Sequence, residues 1–104
     1  MPRFGLGTYH MKDSSLIKQA VSQCGYIMYD CASFYKNEHI VGKALDELLN
    51  QDKIVAREEL FIISKVWWDE VDDVEAACWR SLKNLGLDYI DLYLVHWPIA
   101  IKVI

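Results

Sequence analysis

Short apolar runs alternate along this chain with stretches whose apolar residues recur at helical spacing. Three of the runs end in an ionisable residue: Asp30 after Ile27-Met28-Tyr29, Lys65 after Leu60-Phe61-Ile62-Ile63-Ser64, and His96 after Ile90-Asp91-Leu92-Tyr93-Leu94-Val95. This alternation constrains the fold more than any other feature. Strands joined through helices lie parallel, so their carboxyl ends emerge on one side and the three ionisable groups converge there. An α/β enzyme gathers an acid, a base and an orienting group around one substrate atom in this way.

Phe4 to Tyr9 is a Gly-punctuated apolar piece that reads as a strand running into a turn. Asp13-Ser14-Ser15 supplies N-cap chemistry to a helix with Leu16, Ile17, Ala20, Val21 and Cys24 on its apolar face, closed by Gly25. Tyr26 to Asp30 is expected as a buried strand and Cys31 to Lys36 as the loop after it. Asn37 is expected to cap a helix whose stripe is Ile40, Val41, Ala44, Leu45, Leu48 and Leu49. A polar connector, Gln51 to Glu59, leads to a strand over Leu60 to Val66, apolar on both faces apart from Ser64, as parallel strands under helices tend to be. The next helix opens with Asp69, Glu70, Asp72, Asp73 and Glu75 and carries Arg80 and Lys83 near its end, complementing the helix dipole. Val71, Val74, Cys78, Leu82 and Leu85 are its expected buried face, Gly86 stops it, and the last strand is Ile90 to His96.

The resulting order, β-α-β-α-β-α-β, is that of an α/β fold with parallel strands, either an open doubly wound sheet or part of a barrel. An open dinucleotide-binding sheet wants Gly-x-Gly-x-x-Gly after its first strand, and Gly5-Leu6-Gly7-Thr8-Tyr9-His10 lacks the third glycine. The expectation is therefore one domain over residues 1–104, a partial TIM (β/α)8 barrel comprising about its first half.

Composition narrows the function classes. Hydrophobic residues make up 53% and charged residues 25%, values of a globular chain able to build a core. A net charge of −4, with Lys and Arg scattered singly, offers no basic patch for nucleic acid or an anionic membrane. No apolar run approaches the ~20 residues of a membrane span, and Met1-Pro2-Arg3 begins no signal-peptide core, so a cytoplasmic location is expected. Cys24, Cys31 and Cys78 lack metal-ligand or disulfide spacing and read as small core residues, and His10, His39 and His96 are too dispersed for a local metal pair.

At the run ends the sequence resembles a known family, the aldo-keto reductases. Asp30-Cys31-Ala32-Ser33-Phe34-Tyr35-Lys36-Asn37-Glu38, followed by Val41-Gly42, is similar to the family signature around its catalytic Asp and Tyr. Leu60 to Trp67 resembles its Lys-bearing strand, and Leu87 to Pro98 its His-bearing strand, with the motifs in the family's order and spacing. The resemblance implies an NADPH-dependent oxidoreductase that reduces aldehydes or ketones. Reduction of a carbonyl by hydride places negative charge on oxygen, and a donor must be aimed at it. By the resemblance, Tyr35 is that acid. A phenol is a reluctant acid near neutrality, and the ammonium of Lys65 would favour its ionised form. Asp30 would hold Lys65 by a buried ion pair, and His96 would orient the carbonyl. Tyr9, Phe34, Trp67, His96 and Trp97 would line an apolar substrate mouth, while Gly7, Thr8 and Asp30 would touch the nicotinamide end of NADPH. No metal is implied.

Three departures from the family pattern stand out. Ile27-Met28-Tyr29 replaces a segment that usually carries Arg and a second polar or small residue, Tyr9 stands where many members have Trp, and a whole barrel needs ~250 residues. The chain is accordingly expected to be a truncated form, inactive alone, with the unpaired edges and the apolar tail Ile99 to Ile104 exposed. The family implies a monomer, whereas a half-barrel is open to self-association. Two other readings compete: an aldolase-like barrel using Lys65 as a Schiff-base nucleophile, and a non-catalytic regulatory or binding fragment.

Overall fold

Four strands, β1 (Leu6–Gly7), β2 (Met28–Asp30), β3 (Phe61–Val66) and β4 (Leu92–Val95), form one parallel sheet in the computed structural model. Three α-helices join them: α1 (Ser14–Ser22), α2 (Glu38–Asp46) and α3 (Val74–Leu85). The structure describes residues 1–97; Pro98 and the tail Ile99 to Ile104, on which two expectations above fall, lie outside the described residues.

Strand order in the sheet equals order in the chain, with registers Gly7 to Asp30, Asp30 to Ile63 and Lys65 to Leu94. A doubly wound sheet reverses its strand order at a switch point. No reversal occurs among these strands, and α1, α2 and α3 lie against one face, which is the layout of a partial α/β barrel. Alternation along each strand then separates two sets of side chains. Tyr29 and Ile62 point into the helix layer and join Ile17, Val21, Val41, Ala44, Leu45, Leu48 and Leu85 in the main core. Asp30, Ile63 and Lys65 point the other way, toward what is the lumen of a closed barrel.

Local chemistry sets the element bounds. Asp13 caps α1 by accepting from the Ser15 amide at 2.9 Å. The helix ends at Ser22, and Gly25 takes the left-handed conformation at φ 72°. Cys24, expected on the buried face, therefore falls beyond the helix and is exposed, a correction that follows from the early stop. The first strand is also shorter than Phe4 to Tyr9, because only Leu6 and Gly7 reach β2.

The acidic segment expected to open the third helix is instead a run of 3-10 turns, Trp68–Asp73. Asp73 then caps α3 by accepting from the Ala76 amide at 3.0 Å. Val74 is consequently exposed at 42% rather than buried. Gly86, at φ 69°, closes α3 as expected. The helices α2 and α3 touch at Gly42, where a Cβ would run into the carbonyl oxygen of Asn84 and the backbone of Leu85.

At the amino ends of the strands, Arg57 stitches β3 to β4. Its guanidinium donates to the Leu60 carbonyl at 3.1 Å, the Tyr89 carbonyl at 2.8 Å and Asp91 Oδ2 at 2.8 Å, and lies over the Tyr89 ring. Asp91 Oδ2 also accepts from the Ile62 amide at 2.8 Å.

Candidate active site

The carboxyl ends of the strands bring Asp30, Tyr35, Lys65 and His96 to one place. Lys65, next to the last residue of the run Phe61–Val66, points away from the helix layer with its side chain 12% exposed. Its ammonium has three protons and three acceptors: Asp30 Oδ1 at 2.5 Å, the Cys31 carbonyl at 3.0 Å and Tyr35 Oη at 3.3 Å. Two of these come from the end of β2 and the third from a 3-10 turn, Ser33–Tyr35, just beyond it.

That turn closes through amide bonds from Tyr35 to Ala32 O and from Lys36 to Ser33 O. Lys36 then adopts φ 58°, a left-handed conformation that bends the chain sharply into α2.

His96 stands one residue past β4, and its amide donates to the Val66 carbonyl at 3.1 Å, so its height is tied to β3. Its ring meets those of Tyr35 and Trp67 edge-on, with centroids 5.6 and 5.1 Å away. Burial first, and the Lys65 charge second, lower its basicity below the ordinary value of 6.5, with Asp30 opposing, so the imidazole is neutral at neutral pH. Its Nδ1 is buried without a hydrogen-bond partner among the described residues.

Tyr9, Phe34, Tyr35, Trp67, His96 and Trp97 line a hollow of about 260 Å³. Phe34 stacks on Trp67 with centroids 4.0 Å apart, and Trp97 leans on the same indole. Tyr9 stands at the rim, its ring 5.1 Å from that of Tyr35. A larger hollow, about 390 Å³, lies between α2 and α3. Arg80 and Glu70 pair within it, and it contains none of the four converging side chains.

Gly7 pairs with Asp30 and has open space where a Cβ would stand. Thr8 is fully buried beneath, and both its amide and its hydroxyl donate to the Asp30 carbonyl, at 3.1 and 2.9 Å. The structure thus places Thr8 as a support under Asp30, with no polar group of its side chain turned outward.

Two residues important to this geometry are given no place in the site by the sequence. Asn37, expected to cap α2, makes no side-chain cap; its Nδ2 instead donates to the carbonyls of Thr8 and Met11, at 2.5 and 3.0 Å. Glu38, 4% exposed, accepts from Ser64 Oγ at 2.7 Å and Ser81 Oγ at 3.0 Å, and burial raises its carboxyl above the ordinary range against the pull of those two hydroxyls. The available signal was weak: Glu38 precedes Gly42 by one turn, on the face that meets α3.

Comparison with known proteins agrees with this layout. Residues 4–104 match the model of the aldo/keto reductase family. Aldo-keto reductase family 1 member A1-A of Danio rerio is 49% identical over 105 residues, spanning 96% of this chain and 32% of the relative. Aldehyde reductase YPR1 of Saccharomyces cerevisiae is 43% identical over 104 residues, spanning 98% and 32%. Among solved structures, the aldose reductase from Schistosoma japonicum superposes with a TM-score of 0.89 at 41% identity, over 98% of this chain and 35% of that one. A Bombyx mori aldo-keto reductase in complex with NADP gives 0.84 at 41%, over 98% and 36%. The chain thus spans about a third of the length of the relatives it matches.

Proposed function

This chain belongs to the aldo/keto reductase family, and on that premise we propose that it contributes the acid-base machinery of an NADPH-dependent reductase of aldehydes and ketones, an activity of the complete family barrel. The observation that carries the reading is the Lys65 ammonium held at once by Asp30, the Cys31 carbonyl and Tyr35 Oη. A phenol beside a fixed cation has the means to release its proton to a developing alkoxide, because the cation stabilises the phenolate left behind.

The residues present fit the nicotinamide end of the cofactor. The open space before Gly7, next to the Asp30–Lys65 pair, accepts a flat ring close to the backbone. When bound, the cofactor would supply the hydride. Tyr35 donates its proton to the carbonyl oxygen. Lys65 holds the phenolic oxygen in place and balances its charge, and Asp30 keeps Lys65 aimed. His96, neutral at neutral pH, is suited to a hydrogen bond with the carbonyl oxygen without competing for the proton. Phe34, Trp67 and Trp97 exclude water and hold the apolar part of the substrate, with Tyr9 at the rim. Thr8 acts from below, through Asp30.

The aldolase-like reading needs a free amine lone pair on Lys65. Nζ is engaged at once by Asp30 Oδ1, the Cys31 carbonyl and Tyr35 Oη, which speaks against that role. Joining this chain to the remainder of a family barrel and changing Tyr35→Phe should lower kcat for carbonyl reduction by about 10²–10⁴ with cofactor affinity retained, the size of a general-acid contribution. Turnover undiminished in the variant would remove Tyr35 from the mechanism. Borohydride trapping of a carbonyl compound on Lys65 would favour the aldolase chemistry.

A further inference from the structure

Just past the Tyr35 phenol, the chain sends two buried polar side chains in opposite directions. Asn37 reaches the Thr8 carbonyl, and Thr8 in turn holds the Asp30 carbonyl. Glu38 reaches Ser64 on β3 and Ser81 on α3. Ser64 immediately precedes Lys65 and points to the opposite face of the strand. We propose that Glu38, through its hydrogen bond to Ser64, is a positioning residue that sets the distance between Tyr35 and Lys65. The inference takes its catalytic meaning from the reductase reading, whereas its geometric content stands apart from it.

Before the phenol, the segment carrying Tyr35 is held by Ser33 Oγ, which donates to Glu70, and by the stacking of Phe34 on Trp67. Phe34 is 39% exposed, and the turn Ser33–Tyr35 buries none of its own residues. Between the phenol and α2 stands Lys36 in its left-handed bend, so the placement of Tyr35 follows from where the first residues of α2 are fixed. Asn37 refers that point to β1 and β2, and Glu38 refers it to β3. Each anchor leads, within one residue or one hydrogen bond, to a member of the Asp30–Lys65 pair.

The energetics of Glu38 favour this role over simple stabilisation. Taking a carboxylate out of water costs several kcal/mol, and an apolar residue of similar length would fill the same space without that cost. What the carboxylate adds is direction, since its two oxygens are each fixed by a serine hydroxyl. At the reacting groups direction matters greatly, because a misplacement of about 1 Å costs about 10²-fold in rate.

Ser64→Ala and Ser81→Ala each remove one hydroxyl from the same carboxylate, but only Ser64 adjoins Lys65. In the full 104-residue chain, labelled with carbon-13 for NMR, Ser64→Ala is expected to at least halve the Overhauser contact between the Tyr35 ring and the Lys65 side chain. Ser81→Ala should leave it unchanged. Glu38→Gln, which can accept from Ser64 and donate to Ser81 Oγ, should retain the contact, and Glu38→Leu, which fills the space, should lose it with the fold retained. An equal loss in both serine variants, or an undiminished contact in Ser64→Ala or Glu38→Leu, would overturn the proposal. Failure of the reductase reading has a different signature: the unmodified complete barrel would not reduce carbonyls, whatever the NMR contacts.

Discussion

Lys65 spends its three ammonium protons on three different partners, and that arrangement puts a positive charge beside His96 as well as beside Tyr35. The lowered basicity of His96 has a consequence for stability. The folded chain binds a proton at this ring less readily than the unfolded chain, so the contribution is complete above pH 6.5 and is lost as pH falls from there through the lowered value. NMR titration of the His96 ring should give a midpoint below 6.5, and His96→Gln should flatten the acid side of the urea midpoint against pH. A midpoint at or above the ordinary value would show that burial and Lys65 do not govern the ring. Asp30, Lys65 and His96 were legible in the sequence because a strand-end position in a βαβ chain determines where a side chain emerges. Tyr35 came from the family motif. Asn37 and Glu38 were not legible: a cap residue and an acid in a first helical turn are so common that tertiary partners 26 and 29 residues away for one, and 26 and 43 for the other, leave no local trace.

At the level of elements, α2 is the piece on which the site depends, since it anchors the Tyr35 turn and packs on α3 through Gly42. A methyl group at Gly42 would meet backbone atoms, which do not yield as a flexible side chain does. Gly42→Ala is therefore expected to cost about 1–3 kcal/mol, read as a lowered urea midpoint, more than the gain of helix propensity returns. A variant as stable as the parent would mean that α2 and α3 separate freely. The order and type of the elements were readable from apolar periodicity, and their ends were less so. The helix after β3 shows why: the acids Asp69 to Asp73 suit either a first turn or the 3-10 run actually found, and the decision rests on Glu70 being drawn to Ser33 at 2.7 Å and to Arg80 at 3.0 Å. The early end of α1 has a similar cause, for Tyr26 N returns to Ala20 O and pulls Cys24 off the helical path.

In the molecule as a whole, one face of the sheet is sealed by helices and the other is not. Leu94 on the open face is 39% exposed, Val95 on the other face of this edge strand 58% and Trp97 beyond it 49%, and neither β1 nor β4 has an outer neighbour among the described residues. Unpaired strand edges beside apolar surface favour association. Sedimentation of the isolated chain should show species heavier than 12.1 kDa whose share grows with concentration, and a single light species throughout would count against this. The sheet also has two unlike poles. Arg57 and Asp91 tie the strands together at one end, and every group assigned to chemistry sits at the other. A reporter dye or short peptide grafted into the exposed stretch at residues 51–54 would thus ride on the mechanical base of the molecule, leaving its selectivity untouched while its solidity is tuned.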